Sequence, residues 1–148
     1  MPAVTNIRDY FEFLKKSNLL SKDQLIATRT AARDFTEARG LSKWLIKRGW
    51  ITPWQAQQLQ NGHHRLFLGT YQLLDVIGQG GMGAVLKAEQ SSVRRIVALK
   101  VMAKELLKDE KAVGRFLREI QSAASLNHPN IVAAIDADFV GDRYFLVM

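Results

Sequence analysis

The sequence predicts an α+β chain in which a small all-α part precedes a sheet-bearing part. Up to about residue 66, apolar residues recur at helical spacing between well-marked helix starts; beyond it they come as short β-branched and aliphatic runs. Charge changes at the same place. Residues 1–66 hold 11 Lys/Arg against 5 Asp/Glu, a net of +6, whereas residues 67–148 hold 10 against 9, a net of +1. A length of 148 residues leaves room for two small domains, and we place them at 1–66 and 67–148.

Composition excludes several classes. The chain has no cysteine, which rules out disulfides and thiolate metal sites and fits a reducing, cytoplasmic compartment. No apolar run approaches the roughly 18 residues that cross a bilayer, and Met1 to Tyr10 lacks the basic-then-apolar order of a signal peptide. The bases of the first part (Lys15, Lys16, Arg29, Arg33, Arg39, Lys43, Lys47, Arg48 and Arg65) are dispersed at helical spacing. We read them as solvated faces of amphipathic helices rather than as a surface for nucleic acid or an acidic partner.

The helices of the first part come in two similar pairs. At an offset of 31 residues, Phe13 to Gln24 aligns with Trp44 to Gln55. Each copy is the end of one helix, a residue tolerant of positive φ (Asn18 or Gly49), two apolar residues and a new helix start. Ser21 with Gln24, and Thr52 with Gln55, have capping-box spacing, and Pro53 suits the first helical position. Helices are therefore expected at about residues 5–17, 22–34, 37–48 and 53–61. Ile7, Tyr10, Phe11 and Leu14 form one apolar stripe; Leu41, Trp44 and Leu45 form another. Trp44, Trp50 and Trp54 fit core positions, or a docking face if a pair of them is exposed. Adjacent His63 and His64 have no carboxylates near them in sequence and suggest no metal site.

In the second part, strands are expected at Tyr71 to Ile77, Ala84 to Glu89, Ile96 to Met102, Ile131 to Phe139 and Tyr144 to Met148, with a helix from Asp109 to Leu126. Between the first two strands lies Gly78-Gln79-Gly80-Gly81-Met82-Gly83-Ala84-Val85. Side-chain-free backbone of this kind lets N–H groups approach phosphate oxygens. A dinucleotide-binding turn has a similar glycine pattern but opens into a helix and wants an acidic residue about 20 positions on. Here a strand-like run follows, and Val97 to Lys100 occupy that distance.

From Tyr71 onward the sequence resembles the N-terminal lobe of bacterial eukaryotic-like (Hanks-type) serine/threonine protein kinases. The glycine loop, Val97-Ala98-Leu99-Lys100, and Arg118-Glu119 leading to Leu126-Asn127-His128-Pro129-Asn130-Ile131-Val132 carry the resemblance, in that order and spacing. It implies a five-stranded antiparallel sheet with one helix, truncated before the C-terminal lobe. It also implies ATP as cofactor: Ile77, Val85 and Ala98 around adenine, Gly78, Gln79, Gly80, Gly81, Met82 and Gly83 over the phosphates, and Met148 at the back of the adenine pocket. Lys100 would hold the α and β phosphates and Glu119 would pair with it. One position departs from the family: Leu86 stands where an aromatic residue is common, and we expect its side chain to point outward.

In this family the Mg²⁺ ligands and the catalytic aspartate belong to the C-terminal lobe, and no H-R-D or D-F-G sequence occurs here. Asp136, Asp138 and Asp142 match no family metal ligand and read as loop or strand-edge residues. We therefore expect the N-terminal part of a longer kinase that phosphorylates protein Ser/Thr, inactive by itself, with residues 1–66 as a regulatory or interaction module open to a protein partner or self-association. The competing reading is a non-enzymatic module that binds protein or polyanion through the basic helices.

Overall fold

The computed structural model describes residues 3–81, 83–131 and 133–148, and the chain divides into two compact units, Met1–Phe67 and Leu68–Met148. The first contains helices α1 (Ile7–Ser17), α2 (Lys22–Ala31), α3 (Ala38–Lys47) and α4 (Pro53–Gln60). Helices α1, α2 and α4 start at side-chain caps, and α3 starts behind Glu37 without one. Asn6 accepts from the N–H groups of Arg8 and Asp9, and so trims α1 from the expected residue 5 to residue 7. Both capping boxes form, Ser21 with Gln24 and Thr52 with Gln55. The matching exits are left-handed, with φ of 59° at Asn18 and 73° at Gly49, so the repeat is conformational as well as sequential. The second helix ends early because Ala32–Asp34 tightens into a 3₁₀ turn.

All four helices bury one shared core. Tyr10 and Leu14 come from α1, Ala38, Leu41 and Leu45 from α3, and Ala56 and Leu59 from α4, with Leu20, Ile51 and Leu66 from the connections. From α2, Leu25 packs against this core while half-buried. Trp44, Trp50 and Trp54 pack on it as well, half-buried, and Trp44 meets Trp50 edge to face at 5.5 Å. They are therefore packing residues, not an exposed pair. His64 lies against Phe13, ring centroids 5.6 Å apart.

A polar chain runs through this core: Gln60 donates to the Ser42 hydroxyl (3.0 Å), which donates to the Tyr10 hydroxyl (2.7 Å). Burial pushes the Tyr10 phenol up to about 12, against the smaller opposing effect of the Ser42 hydrogen bond. The folded state thus resists an ionisation that the unfolded chain undergoes near pH 10. The unit keeps this stability below pH 10 and loses it as pH rises from 10 toward 12, by about 1.4 kcal/mol per pH unit. Denaturation followed through the tryptophans, all of which lie in this unit, should show that slope. Subtracting the Tyr10→Phe variant should reveal it as a difference, and parallel pH profiles would refute it.

The second unit is a sheet with one helix. A six-stranded sheet has the order β1-β2-β3-β4-β6-β5, with β1 (Phe67–Leu68), β2 (Tyr71–Gly80), β3 (Gly83–Gln90), β4 (Arg95–Met102), β5 (Asp136–Val140) and β6 (Arg143–Val147). Pairing from β2 to β5 is antiparallel throughout. The two-residue β1 is the strand that the sequence reading did not include. The strand expected from Ile131 starts only at Asp136: Ile131 N–H turns back to His128 O, and Ile135 N–H makes the last bond to β6, at Val147 O.

One face of the sheet is core: Tyr71, Leu73, Leu86, Ala88, Val97, Leu99, Val101, Phe145 and Val147 are all buried. The sheet curls over this face. Tyr71 of β2 meets Phe145 of β6 edge to face at 5.9 Å, although three strand spacings in a flat sheet would separate them by about 14 Å. Leu86 corrects an expectation: it points inward, 9% exposed. Strand alternation requires this once Val85 is on the opposite face, because the inside of the curl is where the alternate residues meet. Helix α5 (Glu110–Ser125), capped by Asp109, packs through Ala112 and Phe116 onto Met102, with Leu106, Leu107, Val113, Ile120 and Tyr144 around them.

Candidate functional site

The glycine stretch forms the tip of the β2–β3 hairpin, with Gly80 opposite Gly83 as the last pair. Its glycines differ in what they are needed for. Gly83 has φ +145°, and a Cβ there would stand 2.0 Å from the Val101 carbonyl oxygen and 2.8 Å from Ala103 N. Only glycine permits β3 and β4 to approach so closely. Gly78, Gly80 and Gly81 lack positive φ, and a Cβ on any of them would meet nothing within 4 Å. Neither backbone conformation nor internal packing asks for glycine at these three positions.

Beneath the tip lies a cleft of about 380 Å³ lined by Gly78, Gln79, Gly80, Gly81, Gly83, Ala84, Val85, Lys100 and Val101. Its floor follows from strand register. Lys100 stands opposite Val85 on one side and Leu146 on the other, and partners directly opposite in a ladder share a face. Alternation along β4 buries Val97, Leu99 and Val101 and leaves Ala98 and Lys100 half-buried on the cleft side.

The Lys100 ammonium donates to Glu119 Oε1 on α5. Phe116 and Glu119 are three residues apart, so packing of the phenyl ring into the core turns the carboxylate toward the sheet. The lysine side chain is 29% exposed and the glutamate 49%. An ion pair in such a setting is worth only about 0–1 kcal/mol; its consequence is positional, since it fixes where the ammonium sits along the cleft.

Of the residues singled out from sequence, seven line one cleft: Gly78, Gln79, Gly80, Gly81, Gly83, Val85 and Lys100. Ala98 and Met148 exchange two backbone hydrogen bonds, 3.0 and 2.8 Å, farther along the same floor. Ile77 sits in an irregularity of β2, where register slips between Val76 and Gly78, and is 61% exposed. Met82 lies outside the described residues. Sequence reasoning did not single out Ala84 and Val101, which also line the cleft; the signal for Val101 is the close approach that Gly83 permits.

No group of three or more His, Cys, Asp or Glu among the described residues is placed to hold a metal ion. Asp142 pairs with Lys104 at 3.0 Å, and that hydrogen bond holds its carboxyl below the usual range. Asp136 and Asp138 each accept from the N–H of the following residue. Among the described residues no helix is long and apolar enough to cross a membrane.

Residues 71–148 match the protein kinase domain family. Among curated proteins the chain is similar to the serine/threonine-protein kinase PrkC of Bacillus subtilis, 46% identical over 80 residues, which are 54% of this chain and 12% of that protein. It is also similar to the serine/threonine-protein kinase pkn3 of Myxococcus xanthus, 47% identical over 66 residues, 45% of this chain and 12% of that protein. The solved Mycobacterium tuberculosis PknI kinase domain overlaps it at a TM-score of 0.46 with 27% identity, over 55% of this chain and 34% of that one. The chain thus spans 12% of the length of each of these two curated relatives. The family match takes in more than half of the chain, including the glycine hairpin, Lys100 and Glu119: the chain belongs to the protein kinase domain family.

Proposed function

We propose that residues 67–148 bind ATP by its phosphates and that the full-length protein transfers the γ-phosphoryl group to Ser or Thr of a protein substrate. The observation that carries this reading is the set of open glycines above a cleft whose floor presents one oriented ammonium. Gly78, Gly80 and Gly81 leave space that a Cβ would fill, which fits phosphate oxygens approaching backbone N–H groups. Lys100, held by Glu119, supplies the charge that orients α and β phosphates. Val85 and Ala98 offer small apolar surface on the same face for adenine, with Ile77 and Met148 as further contacts. Bound Mg²⁺ would neutralise charge developing on the phosphates. No described residues here group to hold it, so we place its ligands outside this sequence.

Residues 1–66 hold no candidate chemistry, and we assign them to regulation or interaction within a cytoplasmic protein. The 148 residues contain no H-R-D or D-F-G sequence, so the chain by itself is expected to bind nucleotide without transferring phosphate.

The test is an ATP titration of this chain, with Mg²⁺, followed by amide NMR. Resonances of Gly78, Gly80 and Gly81 should shift with ATP and not with adenosine. Lys100→Ala should weaken binding about tenfold or more, the usual worth of a charge-assisted hydrogen bond to phosphate. Unchanged affinity in Lys100→Ala would overturn the site assignment. Phosphorylation by the wild-type chain that disappears in Lys100→Ala would overturn the assignment of binding without transfer.

A further inference from the structure

Helix α3 carries a charge arrangement that folding does not ask for. Its buried side is Ala38, Leu41, Ser42 and Leu45. On the opposite, exposed side stand Arg39, Lys43 and Lys47, each four residues from the next. The first turn contains no acidic residue, and Glu37 at the N-cap makes no side-chain hydrogen bond to it. Arg39 therefore faces the positive end of the helix dipole, and each adjacent pair in the row repels at the spacing where opposite charges would attract.

Helix α1 shows the ordinary alternative: Asp9 and Glu12 are interspersed with its bases, and Lys15 lies 3.6 Å from Glu12. Among the described residues, none of Arg39, Lys43 and Lys47 forms an ion pair with a carboxylate. Just beyond them Arg48 stacks 3.8 Å from the centroid of the Trp44 ring. Residues 38–48 contain these four bases and no acid, so they account for most of the net charge of the helical unit.

We propose that this ridge of α3 docks an acidic helical segment of a partner protein. The row rises about 6 Å per step and extends about 12 Å, the spacing of carboxylates four residues apart on a facing helix. A membrane is a poorer match, because the apolar side of α3 is in the core and Ile26, on α2, is the one exposed large hydrophobic side chain among the described residues of this unit. A nucleic-acid duplex is poorer too: such sites neutralise on the order of 6–10 phosphates on two strands, and this ridge is a single row. The inference concerns the helical unit and stands apart from the nucleotide-site reading.

The test uses the whole 148-residue chain and fluorescence anisotropy of a labelled helical peptide with Glu at every fourth position. A peptide of the same composition with its Glu residues in one block is the control, and duplex DNA and phosphatidylserine vesicles are competitors. The spaced peptide should bind about tenfold more tightly than the blocked one, and its binding should weaken on going from low to about 0.15 M salt. Lys43→Glu should weaken it about tenfold or more. Arg39→Glu should weaken it similarly while raising Tm, since it puts an acid in the first turn of α3 and four residues before Lys43. That opposite movement of binding and stability separates a docking role from a structural one. Equal binding of the two peptides, tighter binding of DNA or vesicles, or unchanged affinity in both variants would overturn the proposal.

Discussion

Gly83→Ala is expected to destabilise the sheet unit by about 3 kcal/mol, whereas Gly81→Ala, two residues away, should leave its stability within about 1 kcal/mol of wild type. At Gly83 two costs add. An alanine at φ +145° is strained, and its Cβ would be driven into the Val101 carbonyl at 2.0 Å. Backbone strain of this kind and overpacking each cost about 1–3 kcal/mol, and the obstacle is main chain in a paired strand, which cannot rotate aside. At Gly81 the added methyl enters open space and φ is not positive, so the fold has little to lose and the unfolded chain loses some entropy. The cost of Gly81→Ala should instead appear in ATP affinity, because the methyl occupies room that a phosphate oxygen would take. Urea denaturation by far-UV circular dichroism and ATP titration of both variants check this. If both variants lost stability alike, the hairpin tip would be set by packing throughout, and the open glycines would no longer point to a ligand.

Much of this architecture is legible in the sequence, for local reasons. Capping boxes, the proline at the start of α4 and the two left-handed helix exits are decided within four residues, and they place the helices to within two or three residues. The register that puts Val85 opposite Lys100 follows from the four-residue turn, residues 91–94, that joins β3 to β4, and from strict alternation. What the sequence did not disclose depends on distant partners. Leu86 faces inward because the sheet curls until Tyr71 meets Phe145, and nothing near Leu86 in the chain encodes that curl. The concentration of bare positive charge on α3 is hidden in the same way. A count over residues 1–66 looks dispersed until burial shows which side chains share the exposed side. The different demands on Gly83 and its neighbours are likewise invisible in a glycine-rich string.

Phe116→Ala is expected to cost about 3 kcal/mol or more, and to weaken nucleotide binding although Phe116 does not line the cleft. Its ring is 1% exposed and joins Met102 and Ala112 in the cluster that seats α5 on the sheet. Truncating a buried Phe removes both its transfer energy and the filling of a cavity, typically about 3–5 kcal/mol. The Lys100–Glu119 pair also joins α5 to the sheet but is partly exposed and contributes about 0–1 kcal/mol. The two variants should therefore separate: Glu119→Gln should lower ATP affinity with a stability loss below about 1 kcal/mol, and Phe116→Ala should lower both. The difference identifies the cluster as what positions the helix and the ion pair as what positions the ammonium. Equal stability losses in the two variants would mean that the ion pair seats the helix, and a Phe116→Ala protein that kept wild-type ATP affinity would show that Lys100 needs no help from α5.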